Sequence, residues 1–165
     1  MKNINQLGED ILVQAIEKGW GHIKDEVSVS RKMMLINTEI TELYKAIVES
    51  KKPVSPKDTV ESELADIVIR TIHLGKVWEV DFDQIIEYSK YNFDSNSLIE
   101  KTLFYFHTLA SETFEFYRCK NFEKFKTNLI ILIFELIRLS EFLEIDITES
   151  IYNKLQINNT RVWKH

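Results

Sequence analysis

Apolar residues recur along this chain every three to four positions with polar residues between them, over most of its length. That period belongs to amphipathic helices rather than to strands. Leu7, Ile11, Leu12, Ala15 and Ile16 place a first helix over 4–18, and Gly19 stands where a helix stops. Met33, Ile36, Ile40, Leu43 and Ile47 predict a second over 30–50. Ser55 as N-cap, Pro56 at the first helical position and Asp58 in the capping-box position predict the start of a third. Val60, Leu64, Val68 and Ile72 carry its core period. A short helix is expected over 82–91, capped by Asp81 with Gln84 following, and then a loop over 93–97. Two long apolar helices are expected over 98–119 and 122–143 with Asn121 as the cap between them. A last short one starts at Asp146, with Glu149 completing its capping box. The expected fold is therefore all-α, a bundle of about seven helices.

Composition narrows this picture. Glycine and proline are scarce, with 4 and 2 residues, as a helical protein requires. At 165 residues the chain is expected to be one domain over 1–165. A net charge of −5 with both signs interspersed leaves no basic footprint for nucleic acid. The lone Cys119 makes no internal disulfide and no thiolate metal site, which fits a reducing, cytoplasmic compartment. The start is too acidic and too polar for a secretory signal. The run from Leu129 to Phe134 is too short for a membrane span. Its apolar character on all sides suggests burial or a homodimer through the second-half helices.

The candidate chemistry lies in two acidic pairs, Glu39 with Glu42 and Glu63 with Asp66, each spaced i, i+3. A turn containing Pro53 and Pro56 separates them, so the two helices should pack antiparallel and bring the four carboxylates together. Acids spaced this way also occur on solvated helix faces, where Lys45 and Arg70 would be ordinary surface partners. Glu39 nevertheless falls on the border of the apolar stripe, and a carboxylate buried there needs a cation or a donor. Four converging carboxylates suit Mg²⁺ or Mn²⁺. His73 has no histidine partner at metal spacing. Trp20, just past the first helix, is either a core plug or a stacking platform for a nucleobase.

The chain also echoes itself. Positions 78–84 resemble 143–149, and Glu39-xx-Glu42-Leu43-Tyr44 resembles Glu112-xx-Glu115-Phe116-Tyr117. Asn128 and Ile131 fall where the echo of Glu63 and Asp66 would be. Only the first half, 1–94, is then equipped for a metal, and 95–165 reads as a degenerate copy.

The order Glu39-xx-Glu42 followed by Glu63-Leu64-Ala65-Asp66 resembles the ExxE…ExxD signature of the all-α nucleoside triphosphate pyrophosphohydrolases. This MazG-like superfamily includes dimeric dUTPases, dCTP pyrophosphatases and phosphoribosyl-ATP pyrophosphatases. The tail, Lys154-xxx-Asn158-xx-Arg161-x-Trp163-Lys164-His165, and Lys18-Gly19-Trp20 resemble other parts of it. One departure is clear. In compact relatives the basic tail follows directly on the short helix after ExxD, whereas here the second half intervenes and Lys90 with Asn92 is a degraded version of that ending. The resemblance implies hydrolysis between the α and β phosphates of a nucleotide. Glu39, Glu42, Glu63 and Asp66 would hold Mg²⁺, while Lys154, Asn158, Arg161 and Trp20 would bind substrate. On this reading Glu63 or Asp66 can be neutralised with little loss of folding. A helical scaffold without enzymatic activity is the competing class, while a di-iron bundle would need Glu-x-x-His pairs.

Overall fold

The computed structural model describes residues 4–20, 23–48, 59–84, 87–88, 90–93 and 99–160. Among them are the helices α1 (Ile4–Glu17), α2 (Glu26–Val48), α3 (Val60–Val77), α4 (Ile99–Arg118), α5 (Phe122–Phe142) and α6 (Ile147–Thr160). Neighbouring pairs α2–α3, α3–α5, α5–α4 and α4–α2 close into a four-helix ring, and α1 and α6 pack on α3 from outside it. α3 thus has neighbours on every side. This explains why its apolar residues are not confined to one stripe: Leu64, Ala65, Ile67, Val68, Ile69, Ile72 and Leu74 are all buried. No helix of the described residues is long and apolar enough to cross a membrane.

Local signals fix most of the helix ends. Asp25 accepts from the Ser28 amide at 2.6 Å, Asn121 from that of Lys124 at 3.3 Å and Asp146 from that of Glu149 at 3.0 Å. Each relieves an amide that the first turn leaves unbonded. α2 accordingly starts at Glu26, a turn earlier than its apolar stripe alone predicts. The cap of α3 is Thr59, which accepts from the Ser62 amide; Ser55, Pro56 and Asp58 lie outside the described residues. Gly19 ends α1 with φ 74°, a left-handed turn that glycine makes without strain. The echoed segments share this ending. Glu79 and Glu144 have φ 57° and 58°, and the amides of Val80 and Ile145 close back on Gly75 and Ser140.

Two expectations need correction. At the described positions of 82–91 the chain is turn or irregular, not helical. The Asp81 carboxylate accepts from the Asp83 amide and from Asn5 Nδ2, so it is not free to cap a helix through Gln84. Asn5 Oδ1 takes the Phe82 amide in turn, and the fully buried Phe82 ring sits against Gly75, where a Cβ would lie 2.3 Å from ring carbon Cζ. Ile16 is exposed rather than inward, and Gln14 is buried in its place. Leu129, Ile130, Leu132 and Ile133 are buried within this one chain, as a buried helix predicts, while Ile131 and Phe134 are half-buried.

Tyr91 and Phe93 of the linker lie against α4 and α5. The Tyr91 amide donates to Glu135 Oε1 at 3.2 Å, and the Tyr91 ring stacks on Tyr105 at 4.4 Å. Glu135 is fully buried on α5 and carries Arg138 at 2.7 Å, which sits over the Phe93 ring. A buried carboxylate without these donors would be costly.

Candidate functional site

The acids meet between α2 and α3. Carboxylate oxygens of Glu39, Glu63 and Asp66 lie within 4.8 Å of one another. Further along, Lys32 and Leu35 near the start of α2 line the same cavity as Ile69 and His73 toward the end of α3. The two helices therefore run antiparallel, as the short connection between the acidic pairs predicts. Glu39 and Glu63 are each only 5% exposed. Glu42 is exposed and stands at the rim, hydrogen-bonded to Glu39.

Two cations hold this cluster. Arg70 reaches Glu39 Oε1 through NH2 at 2.5 Å and through Nε at 2.7 Å. It is thus the partner of Glu39 across the helix interface, not a surface partner of Asp66. Lys154 comes from α6 of the same chain, with Nζ 2.5 Å from Asp66 Oδ2 and donating to Ser62 Oγ at 2.7 Å. Its side chain is buried, so Asp66→Asn would strand an ammonium away from water. That corrects the expectation that either acid of the second pair is dispensable for folding.

Burial dominates the protonation of the remaining acids. It pushes Glu39 up to about 7, opposed by Arg70 and reinforced by Asp66 and Glu42. It pushes Glu63 up to about 8, opposed by Lys154 and reinforced by Asp66, Glu39 and Glu42. Burial thus outweighs the pull of Arg70 and Lys154, and the neighbouring acids add to it. Such a donor set fits a hard divalent cation, which would take the place of the carboxyl protons.

A cavity of about 400 Å³ opens beside the acids, walled by α1, α2, α3 and α6. Asp66 and Arg70 form the end shared with the cluster. Trp20, half-buried, lines it together with Arg31, Lys32, His73 and Asn158. Lys32 donates to the Trp20 carbonyl at 3.3 Å, and burial followed by repulsion from Arg31 lowers its pKa. Of the residues expected to serve the site, Glu39, Glu63, Asp66, Lys154, Asn158 and Trp20 surround this one region, with Glu42 at its edge. Arg161 and the rest of the tail, Trp163, Lys164 and His165, lie outside the described residues.

Sequence reasoning missed Gln14, Arg31, Lys32 and Ser62. The signal was present for two of them. Lys32 stands seven positions before Glu39 and Gln14 seven after Leu7, each two helical turns away on the same face. In the second half Glu115 pairs with Arg118 on its own helix, Asn128 is buried and Ile131 half-buried. No acidic cluster other than Glu39, Glu63 and Asp66 occurs there or elsewhere among the described residues. Compared with known proteins, the chain matches no family model, no curated protein and no solved structure.

Proposed function

We propose that the protein is a Mg²⁺-dependent nucleoside triphosphate pyrophosphohydrolase, a MazG-like enzyme in which only the first half has kept its site. The observation that carries this reading is the convergence of Glu39, Glu63 and Asp66 beside a cavity bearing Trp20, Arg31 and Lys32. Acids, cations and an aromatic side wall are what a nucleotide and its counter-ion need. Glu39, Glu63 and Asp66, with Glu42 at the rim, are the residues to hold Mg²⁺, or Mn²⁺ in its place. The ion would neutralise phosphate oxygens and favour ionisation of water. In the reaction, water adds to the α-phosphorus, the bond to the bridging oxygen breaks, and the products are a nucleoside monophosphate and pyrophosphate. One of the cluster's carboxylates accepts the water's proton. Arg70 and Lys154 already lie against the acids and are placed to turn toward phosphate oxygens once the ion takes over the carboxylates.

One observation favours a second reading. Arg70 and Lys154 already pair with Glu39 and Asp66, as a purely structural polar network would have it. A helical scaffold or interaction protein would use the acids in that way alone. Release of pyrophosphate from a nucleotide panel separates the two. The enzyme requires Mg²⁺-dependent release that Glu63→Gln abolishes; absence of release from every nucleotide, with Mg²⁺ or Mn²⁺, leaves the scaffold.

A further inference from the structure

We infer that Gln14 reads the base of the ligand, and that this base presents an N–H donor to the Gln14 side-chain oxygen. The inference rests on the nucleotide reading of the site. Gln14 is 8% exposed and lines the cavity from α1. Its Nε2 donates to the Leu155 carbonyl at 3.2 Å. That bond fixes the amide's orientation, because turning it over would set two oxygens against each other. Oε1 is therefore an acceptor, and among the described residues it has no partner. A buried acceptor left unsatisfied costs about 1–3 kcal/mol, more than an incidental core position should carry. A second unpartnered oxygen, Oδ1 of the 5% exposed Asn158, belongs to the same cavity.

The surroundings say what kind of donor fits. Ile11, Ala15 and Ile69 give the cavity apolar walls, and Trp20 offers an aromatic one. A flat heterocycle suits such walls, and cavities of this size commonly hold small organic ligands. Asp66 joins the cavity to the acidic cluster, where the ion and the phosphates belong, and the uncharged Gln14 on α1 is left for the base. An edge bearing N–H fills Oε1, as the imide of uracil or the amino group of cytosine would. An edge bearing only carbonyl or methyl groups leaves the oxygen empty and adds repulsion. Sites built around a hydrogen bond reject analogues that lack the partner far better than apolar pockets reject a change of size.

Calorimetric titration with non-hydrolysable α,β-imido nucleoside triphosphates in Mg²⁺ tests this without relying on turnover. Analogues of the four common bases are compared first, and the tightest binder is then compared with its counterpart methylated at the donor nitrogens. The parent protein should bind the unmethylated analogue at least tenfold more tightly. Gln14→Leu and Gln14→Met, which carry no oxygen acceptor, should both erase that difference; thermal unfolding of both variants checks that they fold. Equal binding of the methylated and unmethylated analogues overturns the inference, as does discrimination that survives in Gln14→Leu, or no binding of any analogue. Hydrolysis without base discrimination would sink this inference alone. Discriminating binding without hydrolysis would sink the pyrophosphohydrolase reading and leave Gln14 in its role.

Discussion

Glu63→Gln should stabilise the metal-free protein at pH 8, whereas Asp66→Asn, three residues on, should weaken it. Burial pushes Glu63 up to about 8 from an ordinary value of 4.5. A carboxyl whose pKa is raised on folding contributes stability that is complete below about 4.5 and is lost as pH rises through about 8. Each pH unit between those values is worth about 1.36 kcal/mol, so the loss is on the order of a few kcal/mol. Glutamine has the same shape and no charge, so that loss should disappear in the variant. Asp66 has the opposite role, because Lys154 Nζ lies 2.5 Å from its Oδ2 in a buried pair. Removing one partner of such a pair costs about 3 kcal/mol or more. Urea unfolding in EDTA between pH 5 and pH 8 measures both. The parent should lose stability across that window, Glu63→Gln should be flatter and at pH 8 the more stable, and Asp66→Asn should be less stable throughout. A parent whose stability rises from pH 5 to 8, or a Glu63→Gln variant weaker than the parent at pH 8, would refute the account of burial and repulsion.

Mg²⁺ or Mn²⁺ should raise the melting temperature of the parent at pH 8, by the equivalent of about 2.7 kcal/mol at a hundred times the dissociation constant, and Glu63→Gln should lose most of the effect. Glu112→Gln should leave pyrophosphate release within a few-fold of the parent, since Asn128 and Ile131 supply no acidic partners in that half; a dead variant would place the site wrongly. Phe82→Ala should destabilise by about 3–5 kcal/mol, read by denaturant unfolding, because it empties the volume packed on Gly75. Glu144→Gly should stabilise by about 1 kcal/mol in the same assay, since the exposed Glu144 has φ 58°, where glycine is favoured.

The parts of this fold that sequence made legible are those governed by neighbours along the chain. Asn121 and Asp146 start α5 and α6 through their own side chains, and the i, i+3 acids share a face wherever their helix lies. What sequence hid is governed by packing between distant segments. Nothing near Asp81 in sequence announces that Asn5, from the first helix, will take its carboxylate and the next amide. Arg70 has an acid four residues before it, yet Glu39 across the interface holds it. Gln14 lies on the inward face of its helix, seven positions after Leu7, yet it lines a cavity between distant segments. The halves differ for the same reason: the α4–α5 side is covered by the chain's own linker through Tyr91 and Phe93.

The attachment of α6 has a consequence for how the molecule breathes. This helix packs chiefly on α3 and takes no part in the four-helix ring. Its ties to α1 are the Gln14 bond to the Leu155 carbonyl and the Lys18 bond to the Asn159 carbonyl. If the ring stays closed while α6 lifts, amide hydrogen exchange in 147–160 should proceed through a partial opening of lower free energy than global unfolding. That same excursion carries Lys154 away from Asp66 and Asn158 out of the cavity wall. The helix that completes the pocket is thus also the one whose departure opens it to the bulk, and anything bound between α3 and α6 should slow exchange there first.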